Sequence, residues 1–439
     1  MAARRPMLKP VLLYAAVLHC LLALSAEARA QMFGDALLQS QLPGDFDRGR
    51  NIGVLDRWRP EYEARGIPVG PFTVKPLLRS SAGYSSNVTG SNEQPRDDAI
   101  FTVAPEVFAN IDDADVNMSL GAGAEFRRFL RSKERNQDGY FVASALRYSV
   151  LQDWKLLGGA DLRRTYEQNV STGVPADAIE PVPITSAHAQ LGVQWQVGRV
   201  RLTILGDFLR LDYGDVRLQN GGVSDQSYRD RTEWLGGGRV AYEFSPETSV
   251  FLEMDAKKVD YVEAEFAGQD NRDATQLRVL GGANLDVGAL VRGRFAVGYS
   301  SRNYRSPLYD SLNGFVADAR LQFFPSQIST VTLSGRRLLG ESAILSSPGY
   351  FGTTLKLALD HEVRRNLLLN ASAEYAGERY SLSDRRDKAA VASGGGRYTL
   401  SPGVGFGLQL TYTHRRSAGA DSVPDFDEAQ IVASLVLQR

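Results

Sequence analysis

The stretch from Gly314 to Leu339 constrains the fold most. In it Phe315, Ala317, Ala319, Leu321 and Phe323 alternate with Val316, Asp318, Arg320 and Gln322. A period of two makes a strand with one apolar and one polar face. Pro325-Ser326-Gln327 has turn chemistry. Beyond it Val331, Leu333 and Gly335 alternate with Thr330, Thr332, Ser334 and Arg336. Each arm of this hairpin is roughly ten residues, the length that crosses a bilayer when tilted. One hairpin fits many antiparallel proteins, so repetition decides.

The pattern repeats from Phe72 to the end. Strands are expected to start near Phe72, Ile100, Val116, Gly139, Trp154, Ile184, Val200, Arg231, Ser249, Asp273, Leu290, Gly314, Ile328, Tyr350, Asn366, Lys388, Gly403 and Phe426. That is about eighteen strands, with sixteen as the alternative. Connections alternate in length. Asp112 to Asp115, Gly198-Arg199, Ser245 to Thr248 and Ser401-Pro402 are short; Ser85 to Asp98, Glu167 to Pro183, Gly214 to Asp230 and Val262 to Arg272 are long and polar. Short periplasmic turns and long extracellular loops characterise an outer-membrane barrel. The expected fold is therefore all-β: a transmembrane, antiparallel, up-and-down β-barrel over residues 72–439.

The two faces differ in chemistry. Val116, Met118, Leu120, Ala122, Ala124 and Phe126 form one lipid face, and Val404, Phe406, Leu408, Leu410 and Tyr412 another. Aromatic residues gather near strand ends, among them Tyr84, Phe101, Tyr140, Trp154, Tyr166, Tyr213, Trp234, Tyr299, Phe323, Phe324, Tyr380 and Tyr412. Such rings suit the two membrane interfaces. On the opposite face acid and base stand two apart: Glu125 with Arg127, Asp161 with Arg163, Asp255 with Lys257, Asp318 with Arg320. Residues i and i+2 share a face. These, with His188, Arg292, Arg294, Glu374 and Glu378, are expected to line the lumen. A dry core does not hold so many charges, so a water-filled, weakly selective channel is expected.

Residues 1–30 read as a signal peptide: Arg4, Arg5 and Lys9, an apolar run from Val11 to Leu24, then Ala28-Arg29-Ala30. The single cysteine, Cys20, lies within it, which leaves no thiol chemistry in the mature chain. Residues 31–71 show no period and are expected to form an irregular periplasmic arm, a tether dispensable for membrane insertion. The net charge of −1 gives no argument for nucleic acid.

Catalysis is not expected. A hydrolase needs a base beside its nucleophile. Of His188, His361 and His414, only His414 has a serine near in sequence, Ser417, and that serine reads as a loop residue. Asp360-His361 reads as a polar turn. No clustered metal ligands and no cofactor motif occur. Arginine outnumbers lysine 42 to eight. By strand parity Arg128, Arg164, Arg337 and Arg416 face outward near the extracellular rim, where guanidinium forks match lipopolysaccharide phosphates.

Arg59-Pro60-Glu61-Tyr62, Gly66-Ile67 and Gly83-Tyr84-Ser85-Ser86-Asn87-Val88 resemble the start of the Putative β-barrel porin 2 family of Gram-negative outer membranes. Phe323-Phe324-Pro325 with Ser329 to Ser334, and Tyr375 to Leu382 with Arg386-Asp387, resemble its later hairpins. The resemblance runs from Val54 to the C-terminus. It implies an outer-membrane, porin-like channel for hydrophilic solutes or a saccharide polymer, since some members accompany exopolysaccharide or capsule export systems. The alternatives are a structural or polysaccharide-binding barrel with a closed lumen and, last, an outer-membrane hydrolase. Many such barrels end in an aromatic residue that the barrel-insertion machinery reads; this chain ends Leu437-Gln438-Arg439.

Overall fold

The computed structural model describes residues 52–439 apart from 168–172, 176, 246, 267, 289 and 345. The expected signal peptide and residues 31–51 of the expected arm lie outside them. Eighteen long antiparallel strands pair each with the next, and the last pairs with the first. They are β1 (Phe72–Ser85), β2 (Asp98–Asp112), β3 (Val116–Phe129), β4 (Gln137–Leu151), β5 (Trp154–Tyr166) and β6 (Pro183–Val197). Next come β7 (Val200–Tyr213), β8 (Arg231–Ser245), β9 (Thr248–Tyr261), β10 (Ala274–Val287), β11 (Val291–Tyr304) and β12 (Leu312–Ser326). The circuit ends with β13 (Ser329–Glu341), β14 (Gly349–Arg364), β15 (Leu367–Tyr380), β16 (Arg386–Ser401), β17 (Val404–Ala418) and β18 (Phe426–Gln438). Every expected start falls within two residues of the observed one. Closure leaves no sheet edge, so every strand's backbone finds its partners within the wall, as a bilayer requires. No helix among the described residues is long and apolar enough to cross a membrane.

Some local expectations are corrected. The β12–β13 turn is Gln327-Ile328; Pro325 belongs to β12, where the register shifts between Phe323 and Ser326. Similar shifts occur between Ser149 and Leu151, Glu243 and Ser245, Glu362 and Arg364, and Thr399 and Ser401. All five sit at the short-turn end, where an extra residue adds the twist that a tight connection needs. The arm is not wholly irregular: Ile67–Val69 pairs antiparallel with Phe72–Val74. His361 lies in β14, not in a turn, and Ser417 lies in β17, not in a loop.

Outward faces carry exposed rings at both ends, including Tyr84, Phe101, Tyr140, Trp234, Tyr299, Trp154 and Phe323. Tyr213, Phe324 and Tyr380 are instead buried. Their parity turns them into the barrel.

Candidate functional site: the lumen

The lumen has two unlike halves. Across β8 to β13 the inward side chains fill the bore. Ala241, Phe251, Leu280, Ala296 and Val316 form a buried apolar cluster on that wall. Arg239 and Arg294 each stand 4.9 Å over the Phe251 ring. Glu253, 3 % exposed, gathers three guanidinium groups: Arg239 at 2.5 Å, Arg278 at 3.3 Å and Arg294 at 3.5 Å. Nearer the extracellular end, Arg231 and Lys257 each bond Glu233 at 2.9 Å. Glu341 of β13 receives Arg302 at 2.7 Å and Tyr261 of β9 at 3.2 Å, so side chains reach across three intervening strands. These charges are buried because each meets an opposite charge or a hydrogen-bond partner; an unpaired one would be expelled. The expectation of water along the whole polar face therefore fails along β8 to β13.

The other half encloses a cavity of about 1180 Å3, lined by β1 to β7, β14 to β18 and the arm, and by no residue of β8 to β13. Its wall runs from Asp112, Asn117 and Gln438 at the periplasmic ends to Phe129, Gln137 and Glu428 at the extracellular ends. Between them lie many neutral amides and hydroxyls, such as Ser119, Gln190, Asn370, Ser372, Gln409 and Thr411.

The arm crosses the periplasmic mouth of this cavity. The Val54 N–H donates to Thr330 Oγ1 at 2.9 Å, and Val54 is fully buried. Arg59 and Arg57 both bond Glu362, at 2.6 Å and 3.3 Å, and Arg365 bonds Glu61. Leu55, Trp58, Tyr62 and Glu63 face the cavity. A simple tether would make none of these bonds.

Loops roof the filled half at the extracellular end. Arg229 bonds Glu167 at 2.8 Å and lies 4.0 Å over the Tyr213 ring. Tyr228 donates to the Ala343 carbonyl at 3.0 Å, and Arg272 donates to that of Ser342. Within this roof Asp230 accepts the Tyr213 N–H at 2.6 Å. Burial pushes its carboxyl up to about 6. A carboxyl raised on folding binds its proton more tightly in the folded loop. Its contribution is therefore full below the ordinary aspartate range and lost as pH rises through about 6. Cleavage of loop 214–230 by a protease should be slower at pH 5 than at pH 7, and Asp230→Asn should flatten that difference.

The expected lumen residues fall as follows. Glu125 and Arg127 pair at 3.4 Å on the cavity wall. Asp161 pairs with Arg163 at 2.9 Å, and His188 is clamped between Asp161 at 3.1 Å and Asp207 at 2.6 Å. The other two charge sets bond across strands. Asp255 takes Arg278 at 2.8 Å, Lys257 takes Glu233, and Asp318 takes Arg336 at 3.1 Å, all from neighbouring strands. Arg320 stays exposed on the inward face of β12. Arg292 bonds Gln322 at 2.9 Å, Glu374 pairs with Lys356 at 3.4 Å, and Glu378 accepts from Tyr380 at 2.7 Å. Thr203, Asp207, Glu233, Arg239 and Glu253 also face inward and were not singled out from sequence, although the same parity rule reaches them.

Three of the four rim arginines stand opposite or over aromatic rings. Arg128 is registered with Phe101 and bonds Asp138 at 2.6 Å. Arg164 is registered with Tyr140, Arg337 lies 4.8 Å over Phe351, and Arg416 is registered with Lys388.

The expected His414–Ser417 pair does not meet. His414 bonds Asp427 at 2.7 Å on the outward face, while Ser417, three residues on, has the opposite parity. Ser329 Oγ does lie 2.8 Å from His361 Nδ1, a contact between strands that sequence spacing hid. Among the described residues no carboxylate bonds that imidazole to orient it as a base. Nor does any group of three or more metal-ligating side chains occur among them.

The sequence profile described as Putative beta-barrel porin 2 matches residues 59–439. No curated protein matches the chain. Similar solved structures include Acinetobacter baumannii OccAB4, 11% identical, covering 83% of this chain and 98% of that one, with a TM-score of 0.44. Pseudomonas aeruginosa OpdK is 13% identical over 83% of this chain and 99% of its own, at 0.45. Pseudomonas aeruginosa OccK2 (OpdF) is 11% identical over 84% and 98%, at 0.47.

Proposed function

Because the chain belongs to the Putative β-barrel porin 2 family, we propose that it is a channel that passes hydrophilic solutes, saccharide chains among them, across the Gram-negative outer membrane. The observation that carries this is the cavity wall, continuous from the periplasmic to the extracellular strand ends and rich in neutral amides and hydroxyls. Such groups exchange hydrogen bonds with sugar hydroxyls at little net cost, because each bond to water is replaced by a similar one. Passage needs no covalent step, and the lumen serves as a selective path, not a reaction chamber. A saccharide export system in the periplasm is the matching partner.

Planar-bilayer recordings of the purified protein should show ohmic conductance with weak ion preference. The reason is that opposite charges on neighbouring strands pair and leave little net field. Absence of current, even after deletion of residues 31–70, would replace the channel with a structural barrel.

The outward Arg128, Arg164, Arg337 and Arg416 are proposed to hold lipopolysaccharide phosphates. An outward arginine costs about 2–4 kcal/mol at mid-bilayer and about 0–1 near the interface, and these four lie toward the extracellular strand ends. Changing all four to glutamine should lower the lipopolysaccharide that co-purifies. Unchanged co-purification and melting temperature would remove that role.

A further inference from the structure

Arg397 lacks a bonded partner in a lumen where most charges are paired. It lies on β16, registered with Leu368 of β15 and Gly407 of β17, and opens onto the cavity. It is solvent-exposed and makes no hydrogen bond or ion pair among the described residues. Arg59 of the arm and Arg79 of β1, both positive, line the same cavity. Each of those already has an acid: Arg59 bonds Glu362 and Arg79 bonds Glu106. Three guanidinium groups thus share one cavity with two carboxylates already taken.

The wall beside it stays bare of side chains at two glycines. Gly395 has no side chain, and a Cβ there would meet the Leu408 carbonyl at 2.4 Å. Gly407 is equally tight: a Cβ would meet Ser434 Oγ at 2.5 Å. Gln409 and Ser434 supply neutral polar groups on the same wall. Like charges brought together are unfavourable until an anion joins them. A planar carboxylate fits a guanidinium fork with two parallel hydrogen bonds.

The geometry points to Arg397, backed by Arg79 and Arg59, as a binding site for a carboxylate group carried by the permeating solute, such as the acid group of a uronate sugar. This rests on the channel reading and names the solute class within it. Exchange between bound and free solute is fast at a single fork in water, so the site selects without trapping.

Calorimetric titration of the detergent-solubilised full chain with sodium glucuronate, sodium acetate and glucose tests the site. Bilayer recordings of the same preparations test the channel. Glucuronate should bind and glucose should not, and Arg397→Gln should weaken glucuronate by about tenfold or more, the loss of one charge-assisted pair. Arg147 is the matched control. It lines the cavity from β4, six strands around the wall, and is likewise unpaired among the described residues. Arg147→Gln should leave glucuronate binding unchanged. Acetate binding as tightly as glucuronate assigns the site to simple carboxylates, and weaker acetate assigns it to acidic sugars. Equal binding of glucose and glucuronate, or equal losses from the two arginine variants, overturns the site. Absent glucuronate binding in a protein that conducts overturns the site alone. Binding without current supports the site and overturns the channel.

Discussion

Replacing Glu253 with alanine should destabilise the barrel by about 3–5 kcal/mol, the usual effect of removing one member of a buried ion cluster, and should raise its conductance. Arg239 and Glu253 have side chains that are each 4% exposed. Removing the carboxylate leaves Arg239, Arg278 and Arg294 facing one another in a bore too dry to screen them. Water must enter to solvate them, and that entering water is a new current path through the filled half. The readouts are the temperature at which the heat-modifiable band shifts and the single-channel conductance. A variant unchanged in both would show that the cluster holds nothing closed. Changing Arg239 to methionine and Glu253 to leucine together should be milder, because one of the three guanidinium groups leaves with the carboxylate and Arg278 keeps Asp255.

Replacing Glu362 with alanine should release the arm from the periplasmic mouth. Glu362 is the shared acceptor of Arg57 and Arg59, and Arg59 is buried. Loss of one partner from such a buried pair costs about 3 kcal/mol or more. That is about a hundredfold in the population of the open state, and cleavage of a transiently opened segment follows that population. Trypsin should therefore cut after Arg57 about a hundredfold faster in the variant, and current noise from the periplasmic side should fall as the arm leaves the bore. Equal cleavage rates would mean that Val54 on Thr330 and Glu61 on Arg365 suffice to hold the segment.

Most of the wall was legible in the sequence because a strand's period of two is a local property. Val116 to Phe126 declares its lipid face without reference to any other strand, and so does Trp234 with Val240, Tyr242 and Phe244. The interior was less legible because its partners are set by closure. Asp255 has Lys257 two residues away but bonds Arg278, since the cross-strand neighbour presents its guanidinium at better reach than the same-strand ammonium. Arg59 and Glu362 are 303 residues apart. Tyr261 and Glu341 meet only because the wall curves. The arm gave no period because single long-range bonds hold it, and such bonds leave no repeating signature. The vacancy at Arg397 was equally hidden: it is defined by acids that went elsewhere.

The half-filled lumen separates two quantities that a simple barrel ties together. In an empty cylinder the strand count fixes both the circumference in lipid and the width of the path. Here the circumference belongs to eighteen strands, while the path is bounded by those outside β8 to β13 and by the arm. Bore can then change through substitutions on β8 to β13 alone, with every backbone hydrogen bond, every turn and the whole lipid-facing surface untouched. Lineages that carry the same wall are free to differ in what they admit, and an engineered pore of chosen width could be carved from this one by emptying its filled side two paired charges at a time.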